Sequence, residues 1–129
     1  MGTGFIIISG LVQKSEVDFE QVHMGADSDK VIDLLGQPSE KIHSKIEIDK
    51  LFNEDLKEFN EDLNVKKLDK YLEFYGTTNQ TEMIHQLQLI DNPTKKLSVY
   101  QYNLEDKQKK IISKNIYFFD DKVFFQVLN

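Results

Sequence analysis

The chain has 129 residues, with 22 acidic and 16 basic side chains for a formal charge of −6, and no cysteine. That length suits one domain, 1–129, with its own hydrophobic core. The lack of cysteine excludes disulfides, thiolate metal sites and cysteine nucleophiles, and the acidic balance opposes approach to a nucleic-acid backbone or an anionic lipid surface.

In chain order, the apolar run Gly4 to Val12 (GFIIISGLV) is too short for the roughly twenty residues that span a bilayer. It also lacks the preceding positive charge of a signal peptide, because the first lysine is Lys14. It reads as a buried strand centred on Phe5 to Ile8, with the trimmed end of a longer export segment as the alternative. From Ser15, a possible cap, Phe19 and Val22 repeat at helical spacing until Gly25. A second short helix starts near Asp27 or Ser28 and carries Val31, Leu34 and Leu35 on one side. Gly36 supplies its left-handed stop and Pro38 forbids continuation.

Residues 41–49 read as strand, with Ile42, Ile46 and Ile48 on one face, although the same stretch could open a helix. From Leu51 the apolar positions are helical, through Phe52, Leu56, Phe59 and Leu63. Asn64 offers a break before Leu68, Tyr71, Leu72 and Tyr75 resume the pattern up to Gly76. Asn79 with Glu82 resembles a capping box, so Met83, Ile84 and Leu87 form a third helical face, unless Leu87 and Leu89 belong to a strand. After Asp91-Asn92-Pro93 the character turns to β: Tyr100, Tyr102 and Leu104 alternate with Leu97 and Val99, and a lysine-rich connection follows. The runs Ile111 to Phe119 and Lys122 to Leu128 then meet at Asp120-Asp121 as a hairpin.

The segment Asp18 to Pro38 (DFEQVHMGADSDKVIDLLGQP) carries Phe19, Val22, Gly25, Val31, Leu35, Gly36 and Pro38 in the order aromatic, aliphatic, Gly, polar cap, Val-x-x-x-Leu-Gly-x-Pro. The ending NIYFFDDKVFF is strand, acidic turn, strand. Together these resemble a family of small bacterial envelope domains. The family includes the small lipoprotein subunit of the outer-membrane β-barrel assembly machinery, the β-lactamase inhibitor protein fold and secreted domains of Gram-positive bacteria. The resemblance implies a non-catalytic binding domain of the cell envelope or surface, an adaptor or inhibitor. Between the two matching ends this chain carries a helical stretch, about 50–90, that simpler members lack, and it has no lipobox cysteine.

Each histidine follows a glutamate by three residues: Glu20 and His23, Glu40 and His43, Glu82 and His85. On helices such pairs serve as carboxylate and imidazole metal ligands, but only where long helices face one another around the metal, and this chain ends in strands. No metal site and no cofactor are therefore expected, and a metal-binding protein or enzyme using these pairs is the alternative reading. There is no Gly-x-Ser-x-Gly and no phosphate-cradling glycine loop, so no catalytic residue is assigned. The run Glu47 to Asp62 sets seven carboxylates against two lysines, which reads as the solvated face of an amphipathic helix or a docking surface for a basic partner.

These observations predict an α+β domain in two layers. Two short N-terminal helices and the central helical insertion pack on an antiparallel sheet formed mainly by the C-terminal strands. A sheet covered on one side leaves its other side wet, so Tyr100, Tyr102, Tyr117, Phe119 and Phe125 are expected to include a contiguous exposed patch for a protein partner or a homodimer. An extracytoplasmic setting is expected, with a cytoplasmic phage or plasmid accessory protein as the alternative.

Overall fold

The computed structural model describes Phe19 and residues 21–64, 67–91, 96–105 and 108–128. The strand expected at Phe5 to Ile8, the Ser15 cap, Glu20 and the Asn92-Pro93 turn lie outside the described residues. Helix α1 spans Ser28–Leu35, capped by the Asp27 carboxylate, which accepts from the Lys30 amide at 2.9 Å. It buries Val31 and Leu35 and ends at Gly36, where φ is 83° and the amide donates to the Ile32 carbonyl. The helix stops where expected and φ is positive, which a residue without Cβ adopts at little cost, but ψ is −172°, so Gly36 is extended and not left-handed helical.

Strand β1 is three residues, Glu40–Ile42, and α2 follows at Lys45–Asn64. The single strand expected across 41–49 is therefore corrected: Ile42 is in β1, Ile48 is buried on α2, and Ile46 is exposed on α2's first turn. Ser44 turns the chain into the helix, its hydroxyl accepting from the Glu47 amide at 3.4 Å. At 20 residues α2 is about 30 Å long. Its buried stripe runs Ile48, Phe52, Phe59 and Asp62, with half-buried Asp55 in line, a repeat of four, three, four and three residues.

Helix α3 spans Leu68–Tyr75 and stops at Gly76, φ 67°. Helix α4 spans Gln80–Leu87 and runs into a 3₁₀ turn at Gln88–Asp91. Its cap departs from the expected box. The Asn79 side chain accepts from the Thr81 amide, while Glu82 is held by the Thr77 hydroxyl, which also accepts from the Asn79 amide.

Strands β2 (Leu97–Glu105), β3 (Ile111–Phe119) and β4 (Lys122–Gln126) complete a four-stranded antiparallel sheet in the order β1-β2-β3-β4. Asp120 and Asp121 join β3 to β4 with φ of 55° and 68°, the paired positive values of a tight hairpin turn. The register steps from Phe118↔Val123 to Tyr117↔Phe125, so Phe124 is an extra residue in β4. The bulge brings Phe124 and Phe125 onto the same side of the sheet, where Phe124 lies near Tyr117 and Phe119 and Phe125 meets Phe52 and Phe59.

Helix α2 packs on the face that carries Val99, Tyr117 and Phe125, with Phe52 edge-on to Tyr117 at 5.7 Å. Phe59 links this layer to Tyr71 of α3 at 4.7 Å, and the Tyr75 hydroxyl donates to the Phe124 carbonyl. The opposite face, which carries Tyr100, Tyr102, Ile116 and Phe118, meets the N-terminal segment. Phe19 stands edge-on to Tyr102 at 5.5 Å, and the Tyr102 hydroxyl donates to the Gly36 carbonyl. The buried Gln126 amide donates to the carbonyls of Phe19 and Val22. Among the described residues no helix is long and apolar enough to cross a membrane.

Candidate functional site: an open sheet edge and its acidic groove

The expected aromatic patch does not form. Tyr100, Tyr102, Tyr117 and Phe125 are all buried, at 8%, 5%, 0% and 0% exposure, and Phe119 is half-buried against the core. The reason is coverage from both sides. Phe19 and the end of α1 close over Tyr102, Tyr100 packs on Phe118 with the Lys41 ammonium 5.2 Å from its ring centre, and α2 covers Tyr117 and Phe125.

Two polar clusters hold α2 in place, one to the sheet and one to α3 and the residues after β4. The Tyr117 hydroxyl and the Asn115 amide both donate to one Asp55 carboxylate oxygen, at 2.6 and 3.0 Å. Burial pushes the Asp55 carboxyl up, opposed by these two hydrogen bonds and by Lys114. Farther along, the Tyr71 hydroxyl donates to Asp62 at 2.8 Å and accepts from the Leu128 amide at 3.0 Å, while the Lys67 ammonium lies 3.5 Å from Asp62. Burial and the neighbouring Asp62 raise Glu58 between them, and burial drives both tyrosine hydroxyls well above their ordinary range. Asp55 and Asp62 thus have their hydrogen-bond donors inside the fold, Asp55 pinning α2 to the sheet and Asp62 pinning it to α3.

The three histidines are exposed and sit on separate parts of the fold: His23 ahead of α1, His43 between β1 and α2, and His85 on α4. Among the described residues no three His, Cys, Asp or Glu side chains gather where they could share a metal ion. A small cleft of about 110 Å³ places His23 and Lys70 near Glu73 over Phe74 and Leu128.

The two sheet edges differ. Along β4 the segment before α1 is hydrogen-bonded to the outer edge: the Gly25 amide donates to the Val123 carbonyl, the Val123 amide to the Ala26 carbonyl, each at 2.8 Å, and Asp27 bridges Lys122. Strand β1 is the other edge, and among the described residues no strand pairs with its outer side. Beside it lies a groove of about 260 Å³. Glu40, Ile42 and Gln101 form its sheet wall, and Glu47, Lys50, Leu51 and Glu54 form its helix wall. Three carboxylates against one ammonium line a gap that Ile42 and Leu51 also line, beside the edge of β1 that no described strand covers.

Sequence reasoning missed this groove. Part of its signal was present, because Glu47 and Glu54 belong to the acidic run already singled out and Ser44-x-x-Glu47 spells a helix start. No protein-family model matches the chain, and neither curated proteins nor solved structures include a match.

Proposed function

We propose that this chain is a non-catalytic protein-interaction module, of adaptor or inhibitor type, that takes its partner along the open edge of β1 and the groove under it. The observation that carries the reading is the asymmetry of the two edges. One edge is hydrogen-bonded to the chain's own backbone; the other, among the described residues, is open beside a groove that combines apolar floor and charged rim, the composition of contact surfaces. The resemblance of Phe19 to Pro38 and of the terminal hairpin to small envelope domains supports a setting in the bacterial cell envelope or surface.

The absence of cysteine permits a direct test. Lys50→Cys and Asp33→Cys each introduce a single thiol, the first in the groove and the second on the exposed side of α1, to which a photo-crosslinker is attached. In extract of the source cells the Lys50→Cys protein should give one discrete adduct that excess unlabelled protein suppresses, and the Asp33→Cys protein should not. The same adducts from both positions, or none from either, would remove the groove from the account.

A further inference from the structure

We infer that the partner of this groove is an extended segment that adds to β1 as a fifth strand, with basic or aliphatic side chains and acidic side chains at alternating positions. The inference rests on the reading of the groove as a partner site and names what fits it. Strand addition draws its affinity from backbone hydrogen bonds that any sequence can make, and its selectivity from side chains that alternate between the two sheet faces. In β1 those faces differ in charge. Glu40 and Ile42 lie on the α2 side, where Glu47 and Glu54 add two more carboxylates, and Lys41 lies on the opposite side, with its ammonium above the Tyr100 ring.

A strand laid beside β1 sets each side chain on the same face as the residue it opposes. Its residue opposite Glu40 therefore meets carboxylates and fits a lysine or arginine. Its residue opposite Ile42 meets apolar surface and fits a valine or isoleucine. The residue between them meets Lys41 and fits an aspartate or glutamate. A uniformly basic segment would leave Lys41 facing a like charge, so alternation separates this partner from a simple polycation.

Two fluorescein-labelled synthetic peptides with identical Thr-rich flanks provide the probes, one centred on Lys-Glu-Val and the other on Glu-Lys-Glu, each also made in reversed order because strand direction is open. Fluorescence anisotropy with the full chain at low ionic strength should show the first binding about tenfold tighter, from three cross-strand pairings each contributing a factor of about two. The gap should narrow as salt is added. The double variant Glu40→Lys with Lys41→Glu changes exposed positions and should reverse the preference. Equal affinities, no measurable binding of any peptide, or a preference that the double variant leaves unchanged would overturn the inference. So would light scattering that shows a dimer abolished by the double variant, which would assign the edge to a second copy. If the peptides fail while Lys50→Cys still captures its adduct, the alternation falls and the interaction module stands; if both fail, both fall.

Discussion

Replacing Asp55 separates the role of its hydrogen bonds from the role of its charge. Tyr117 is fully buried and its hydroxyl has Asp55 as acceptor, so Asp55→Ala leaves a buried donor unpaired, a loss of about 1–3 kcal/mol. Asn115 adds less, because it is half-buried and also bonded to Gln101. In Asp55→Asn the amide oxygen can occupy the place of the one carboxylate oxygen that both donors share, so both bonds survive while the buried charge is removed. That variant should lie within about 1 kcal/mol of the parent at neutral pH.

The pH dependence has a fixed sign. Burial holds the Asp55 carboxyl above its ordinary value of 3.8 in the folded chain, so the folded state keeps a proton that the unfolded state releases. The contribution to stability is complete below 3.8 and is lost as pH rises through the folded value. Urea melts of the parent and both variants at pH 4 and 7 read these differences directly. Asp55→Asn should gain on the parent between the two. A loss in Asp55→Asn equal to that in Asp55→Ala, or a parent–Asn difference that does not change with pH, would refute the view that the carboxylate serves as an acceptor whose charge is a burden.

Three other outcomes follow from the geometry. Gly36→Ala should lose about 1–3 kcal/mol in denaturant melts from backbone strain alone, because no atom outside the glycine and its chain neighbours lies within 4 Å of an added Cβ; a neutral result would contradict the α1 stop. Asp121→Gly should stabilise by about 0.5–1 kcal/mol by relieving a non-glycine residue at φ 68°, and a loss in the same melts would count against the tight turn. Purified protein treated with a chelator should keep its melting temperature and carry no stoichiometric metal; one bound metal per chain, lost in His85→Ala, would favour the metal-binding alternative instead.

Much of the fold was legible because its signals are local. The α1 stop needs only Leu35, Gly36 and Pro38, the β3–β4 hairpin needs two aspartates between β-forming runs, and α3 ends at its glycine. The aromatic patch failed because alternation assigns side chains to faces and says nothing about what covers a face. Phe19 reaches Tyr102 across more than eighty positions of sequence. Phe124 broke the alternation itself, since a bulge sets neighbours on one side. Asp55 and Asp62 read as members of a solvated acidic face, yet they lie on the inward stripe of α2. Their tyrosine donors explain why, and the Tyr117 donor lies 62 residues away. The groove required knowing that β1 is an edge, and a three-residue strand gives almost no periodic signal.

The central claim, that the open edge of β1 is where this chain meets its partner, is tested most directly by amide hydrogen exchange along the full chain with and without the Lys-Glu-Val peptide. Strand addition predicts slowed exchange confined to β1 and its immediate flanks, because new backbone hydrogen bonds form there, with little change at β4 or in the cleft beside His23 and Phe74. Slowing centred on that cleft or on β4, with β1 unchanged, would contradict it.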